Sequence, residues 1–253
     1  MNIEKDLSGK VAFVTGSARN LGRAFVLDFA ERGANVVIHH HSDSSRAEAE
    51  DTLKKAKGFA GVDSFIVSGE LSLTTIEKAF SQIQERWGGV DILVNNAGKI
   101  VKKPFLEISE QDFDQSFLVN TKAAFFCMQH AAKKMRNGGR IVNIATSILG
   151  ATTGLYSVYA GSKAPLEDFS RALAKEIGTR NITVNTVAPG PLNTSFFYPS
   201  ENESSVEYCK KQTPLQRLGE IQDIVPLVRF LTKEEARWMT GQTLFVNGGY
   251  VAR

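Results

Sequence analysis

Short apolar runs alternate with longer segments of helical periodicity along the whole chain. The runs VAFVT (11–15), NVVIHH (35–40), SFIVS (64–68), ILVNN (92–96), RIVNIA (140–145), TVNTVA (183–188) and TLFVN (243–247) have strand length and are rich in β-branched residues. Strands that are apolar nearly throughout must be covered on both faces. The pattern therefore predicts an α/β fold: a mostly parallel, seven-stranded sheet with helices on both sides, in three layers. No internal repeat, low-complexity tract or interior linker interrupts it, so residues 1–253 read as a single domain. The longest stretch without clear periodicity, residues 189–214, is expected to be a binding loop or lid, at about 190–214.

Composition narrows the class of partner. Thirty basic and 27 acidic residues are scattered along the chain, for a formal net charge of +3, so neither nucleic acid nor an anionic membrane is implied. A small-molecule partner fits better. Cys127 and Cys209 are far apart and lack a CxxC or zinc-ligand spacing, as in a reduced, cytoplasmic protein. The opening MNIEKDLSGK is too polar for a signal peptide, and no apolar run approaches the roughly 20 residues that span a bilayer. Three adjacent histidines, His39 to His41, do not imply a metal, because consecutive strand residues face opposite sides.

After the first strand comes TGSARNLGRAF, residues 15–25. Glycines there allow a tight turn, and the helix that follows offers free N–H groups and a positive dipole end to a phosphate. The turn departs from the GxGxxG fingerprint: Gly16 and Gly22 remain, and Asn20 stands where a middle glycine could sit. Asn is the next most tolerant residue at positive φ.

Together with NNAG (95–98), YAGSK (159–163), VNTVAPG (184–190) and TGQTLFVNGG (240–249), in this order and spacing, TGSARNLG resembles the short-chain dehydrogenase/reductase family over almost the whole chain. The resemblance implies a Rossmann-type, doubly wound oxidoreductase that moves hydride between NAD(P) and a ketone or secondary alcohol. It also implies a homotetramer or homodimer. The implied cofactor residues are Gly16, Ser17, Arg19, Asn20, Leu21 and Gly22 of the first turn, His39 and His40 after the second strand, and Asn95, Ala97 and Gly98. Tyr159, Lys163, Pro189, Gly190 and Thr194 complete that set. A carboxylate ending the second strand would repel a 2′-phosphate. Histidines stand there instead, and Arg19 occupies the place where NADP-preferring relatives carry a base, so NADP(H) is favoured over NAD(H). Asp43, turned inward, is the alternative ribose partner. A catalytically silent nucleotide-sensing module on the same fold would be marked by loss of the Tyr or Lys; both are present.

Tyr159 and Lys163 are one helical turn apart and so share a face. A phenol titrates near 10, and a cation about 6 Å away contributes roughly 3 kcal/mol to its ionisation at an effective dielectric of 20. Lys163 is therefore expected to lower the phenol, making an acid/base pair. By the resemblance these two are catalytic, with Asn120 joining them through a water relay and a hydroxyl after the fifth strand polarising the substrate oxygen. Residue type in NIATSILG favours Ser147, and spacing to the tyrosine selects Thr146; Ser147 is taken, with Thr146 as the alternative. Pro165, two residues past Lys163, predicts a kink absorbed at Gly161. Phe196, Phe197 and Tyr198 could line an apolar pocket or dock the lid.

Overall fold

The computed structural model describes residues 5–151 and 153–252. Its seven strands are β1 (Val11–Val14), β2 (Asn35–His40), β3 (Ser64–Ser68), β4 (Val90–Asn95), β5 (Met135–Ile144), β6 (Thr183–Pro189) and β7 (Thr243–Val246). They form one sheet in the order β3-β2-β1-β4-β5-β6-β7, and every pairing is parallel. The helices are α1 (Asn20–Glu31), α2 (Arg46–Lys57), α3 (Leu73–Trp87), α4 (Glu110–Phe117), α5 (Ala124–Lys134), α6 (Ser157–Lys163), α7 (Pro165–Ile177), α8 (Glu203–Gln212) and α9 (Ile221–Leu231).

The two-residue period of the strands divides the core into two halves. Ala12, Val14, Ile38 and Val94 face the side covered by Phe25 and Phe29 of α1 and Ile224 and Val228 of α9. Val11, Phe13, Val37 and Leu93 face Ile76, Phe80 and Ile83 of α3 and Met128 of α5. All these side chains are buried, which is why the strands read as unbroken apolar runs. Phe13 and Phe80 meet edge to face at 5.6 Å. The edge strand β7 is only half-buried along its length.

Two local expectations need correction. Pro165 does not kink a continuous helix at Gly161. It starts α7 as that helix's first residue, and the break falls at Ala164. At a helix start the missing N–H of proline has no partner to lose. The stretch 189–214 is not a loop throughout. It carries α8, whose N-cap Asn202 accepts from the Ser205 N–H while Ser205 Oγ accepts from the Asn202 N–H.

The sheet order reverses direction between β1 and β4. Such a switch point opens a crevice beyond the carboxyl ends of the strands, and every candidate motif of the sequence follows a strand that ends there.

Candidate active site

A cavity of about 690 Å³ runs along this crevice. Its floor begins at the turn after β1. Gly16 has φ +61°, and a Cβ there would lie 2.9 Å from the Ala97 Cα. A Cβ on Gly22 would lie 2.3 Å from the Gly16 carbonyl, so α1 approaches the turn as closely as only glycine permits. Asn20 adopts φ +50°, as its place in the motif predicted, and its Nδ2 donates to Ser195 Oγ at 3.0 Å. Asn96 holds the next segment to this turn, its amide donating to the carbonyls of Thr15 and Gly16. Gly16, Arg19, Asn20, Leu21, Ala97, Gly98, Pro189, Gly190 and Thr194 all line the cavity. The glycine cradle, together with the N-terminal end of α1 at the cavity wall, fits a dinucleotide.

Four residues of the expected cofactor set are turned to other tasks. Ser17 is buried; its Oγ donates to the Val14 carbonyl and accepts from the His39 N–H. Asn95 points into the core, donating to Asn143 Oδ1 at 2.8 Å and to the Ala124 carbonyl. His39 is a strut: Nδ1 accepts from the Gly16 N–H at 3.0 Å and Nε2 donates to the Gly69 carbonyl at 2.9 Å. Burial lowers its pKa to about 4, so it is neutral, as these two bonds require. His40 is bonded through one ring nitrogen to the Ser42 carbonyl and through the other to Ser68 Oγ. Both histidines reach the cavity wall, but their nitrogens are occupied. The other polar groups at this end are Arg19, His41, Ser42, Ser44, Ser45 and Glu70. Arg19 is more than half exposed and lies 3.7 Å from Glu48. Asp43 is exposed and stands outside the cavity lining. The role of His41 and the three serines was not read from the sequence, because loop residues carry no periodicity to orient them.

At the other end Tyr159 and Lys163 lie on the buried face of α6. Lys163 Nζ donates to the Ile144 carbonyl at 2.8 Å, and a Cβ on Gly98 would lie 3.3 Å from Nζ, so the ammonium abuts the cradle. Burial lowers Lys163 to about 8. The expected lowering of the phenol is reversed. Burial pushes Tyr159 up to about 12, against the opposing effect of a hydrogen bond with Thr146. Loss of water around the phenolate outweighs its neighbours.

The two candidate hydroxyls, Thr146 and Ser147, both line the cavity but differ in their surroundings. Thr146, the last extended residue after β5, meets the Tyr159 phenol and accepts weakly from the Ile148 N–H at 3.4 Å. Ser147 begins a tight turn; its buried Oγ donates to the Ala188 carbonyl at 2.9 Å. Adjacent residues face opposite ways, and no bulge brings both to the phenol. Asn120 lies in a π-helical turn, Leu118–Ala123, and is fully buried. Its Oδ1 accepts from the Lys99 N–H, and its Nδ2 donates to the Lys99 carbonyl and to Ser162 Oγ, each at 2.9 Å. Ser162 in turn donates to the Tyr159 carbonyl. The Asn120 side chain is thus occupied in tying α6 to the segment after β4, an arrangement invisible in the sequence.

The chamber beyond Tyr159 is walled by Ile100, Ile148, Leu155, Phe196, Phe197, Tyr208 and Tyr250. Tyr198 turns away, its hydroxyl donating to Asn193 Oδ1. One polar cluster interrupts the wall. Glu201, just before α8, accepts from Lys102 Nζ at 2.6 Å and from the Tyr156 hydroxyl. Tyr156 precedes Tyr159 by nearly one helical turn, with ring centroids 6.2 Å apart.

The family profile described as enoyl-(acyl carrier protein) reductase matches residues 16–251. The chain is 38% identical to a short-chain type dehydrogenase/reductase of Picea abies, over 97% of this chain and 93% of that one. It is 37% identical to an NADPH-dependent aldehyde reductase-like chloroplastic protein of Arabidopsis thaliana, over 97% and 95%. Among solved structures, a Burkholderia cenocepacia protein with bound NADP superposes with a TM-score of 0.94 at 41% identity, covering 99% of this chain and 97% of that one. An angucycline C-6 ketoreductase with bound NADP gives 0.89 at 30% identity, over 98% of each chain. With the parallel sheet, the glycine cradle and the Tyr159–Lys163 pair in place, these matches show that the chain belongs to the short-chain dehydrogenase/reductase family of oxidoreductases.

Proposed function

We propose that the protein is an NADPH-dependent carbonyl reductase whose proton donor is Tyr159. The observation that carries this reading is the buried Tyr159 in the same cavity wall as Lys163, whose Nζ abuts the Gly98 cradle. Gly16, Asn20, Gly98 and Gly190 would hold the dinucleotide, whose reduced nicotinamide would supply the hydride for the substrate carbonyl carbon. Tyr159 gives its proton to the carbonyl oxygen as negative charge develops there. Thr146 hydrogen-bonds the same oxygen and stabilises that charge. A phenol raised to about 12 holds its proton throughout the neutral range, which suits the reducing direction. Lys163 places a cation beside Gly98, where the nicotinamide ribose would lie, and Asn120 acts as a positioning residue for α6. The aromatic chamber suits a ketone or aldehyde on an apolar, ring-bearing skeleton; the proteins named above include an aldehyde reductase-like protein and an angucycline C-6 ketoreductase.

NADP(H) is the cofactor in this reading. The support is Arg19 in the cavity wall, the serine-rich turn at residues 42–45, the absence of a carboxylate from the end of β2, and the NADP held by the two superposed structures. The exposed apolar residues Phe105, Leu106 and Phe113 near α4, and Phe230 and Trp238 near the β7 edge, support a homodimer or homotetramer, which sedimentation would read. Cys127 and Cys209 are both free thiols, in keeping with a reducing, cytoplasmic setting, and no helix among the described residues is long and apolar enough to cross a membrane.

The test is loss of NADPH absorbance over a panel of aryl ketones, aldehydes, steroids and oxoacyl thioesters. Tyr159→Phe should retain NADPH binding and lose nearly all turnover. Arg19→Ala should weaken NADPH by about 1.5 to 3 kcal/mol, the range for a hydrogen bond to a charged group, and leave NADH nearly unchanged. Undiminished turnover in Tyr159→Phe, or equal loss of both cofactors in Arg19→Ala, would overturn the corresponding part of the reading.

A further inference from the structure

The cluster at the far wall of the chamber brings together three separate parts of the chain. Lys102 lies on the segment after β4, Tyr156 is the N-cap of α6, and Glu201 joins the lid to α8. The Glu201 side chain is 2% exposed and that of Lys102 is 17% exposed. Burial works to raise the Glu201 carboxyl, and hydrogen bonds from Lys102, Ser205 and Tyr156 more than offset it, so Glu201 is held as a carboxylate. Lys102 also lies 5.3 Å from the centroid of the Tyr156 ring. Its charge is therefore consumed twice over, by a carboxylate and by an aromatic face.

Two other lysines of the cavity wall, Lys99 and Lys163, are held by neutral acceptors and stand apart from this cluster. Glu70 stands with His39 and His40 at the far end of the crevice, and Lys99 donates to Gln115 of α4. Lys163 is bound to the Ile144 carbonyl behind Tyr159. Cys209, the other titratable group beside Glu201, is a thiol raised by burial and so uncharged at neutral pH. Glu201 is thus the one carboxylate among the described residues facing the substrate half.

We propose that Glu201 is a specificity-determining residue: by neutralising Lys102 in the chamber wall it makes this a site for uncharged carbonyl compounds and disfavours substrates that carry a carboxylate distal to the carbonyl. An anionic substrate would meet a buried pair of no net charge, so its carboxylate would lose water there without gaining the Lys102 ammonium as a partner. Removing only the charge of Glu201 would release Lys102 as an anchor for that same anion.

This inference rests on the cavity being the active site, and its test separates the two. The probes are 4-acetylbenzamide and 4-acetylbenzoate, which differ chiefly in charge. Their dissociation constants are measured calorimetrically on NADP-loaded protein, and their kcat/KM values in the assay, for wild type, Glu201→Gln and Lys102→Gln. Wild type should bind the amide more tightly. Glu201→Gln should shift the ratio of the two constants toward the carboxylate by tenfold or more, and Lys102→Gln should shift it the opposite way. The binding ratio reads the chamber charge even with no turnover, in which case the proposed reaction fails and this inference stands. Should Glu201→Gln fail to fold, Lys102→Gln supplies the same test with the sign reversed. A ratio within twofold of wild type in every folded variant would overturn the proposal and make the cluster a tie of the lid alone.

Discussion

Thr146 and Ser147 differ by one methyl group and one position, yet their surroundings separate them. Ser147 Oγ donates to a backbone carbonyl in a buried turn, and Thr146 meets the phenol. Thr146→Val should lower kcat by about 2 to 4 kcal/mol in transition-state terms, by analogy with loss of one oxyanion donor. Ser147→Ala should leave kcat within a few-fold and cost about 1 kcal/mol of stability. Steady-state kinetics and denaturant unfolding of both variants read the two effects separately. Lys163 makes a further prediction through its own titration. With a pKa lowered to about 8 it carries its charge below that pH and loses it above, and Tyr159, near 12, does not titrate in that range. NADPH affinity followed by fluorescence should hold to about pH 8 and weaken beyond it. An affinity flat to pH 9.5 would show that the cofactor does not need the ammonium.

The π-helical turn Leu118–Ala123 between α4 and α5 carries Asn120 into a buried position where its amide is fully bonded. Asn120→Ala would leave the Lys99 N–H and carbonyl and the Ser162 hydroxyl short of partners. At roughly 1 to 3 kcal/mol for each buried group left unpaired, a destabilisation of about 3 kcal/mol is expected, with a fall in turnover as α6 loses its tie. Urea unfolding reads the first and single-turnover kinetics the second. Full stability with reduced turnover would instead assign Asn120 to the chemistry itself. The break between α6 and α7 belongs to the same level of organisation. With Pro165 at the start of α7, Tyr159 and Lys163 sit on a short helix of their own, fixed by Asn120 and Ser162 and not by continuity with α7.

The assembled fold makes one ring answerable to pH. His39 bridges the turn after β1 to Gly69 after β3, and its folded pKa of about 4 lies below the ordinary 6.5. The unfolded chain therefore binds the extra proton between those values. The stability His39 contributes is complete above pH 6.5 and is lost as pH falls toward 4. Between pH 7 and pH 5 the loss should be about 2 kcal/mol, from 1.36 kcal/mol per pKa unit. Lys163 acts with the same sign in a higher window: its folded pKa lies below 10.5, so its cost is full below pH 8 and fades between 8 and 10.5. Urea midpoints at pH 7 and 5 for wild type and His39→Gln check the first statement. The wild-type loss should largely vanish in the variant.

The layer order, all seven strands and the existence of the cradle were legible in the chain, because each rests on local periodicity or on a backbone need that one residue type meets. Val11 to Val14 are apolar on both faces because both faces are covered, and Asn20 sits at positive φ because few other residues tolerate it. The pairing of Tyr159 with Lys163 followed from helix geometry alone. The features that local pattern does not reveal all depend on partners distant in sequence. Asn95 turns to Asn143 and Ala124, His39 to Gly69, and Ser147 to Ala188. Lys102 and Tyr156 meet a carboxylate from a segment whose helix was read as loop. The rise of the Tyr159 phenol was missed because burial is a property of the packed chamber, and no spacing of residues encodes how little water reaches it. Local pattern assigns a residue to an element and a face; which hydroxyl, imidazole or carboxylate is left to meet a ligand depends on which polar groups the fold has already paired.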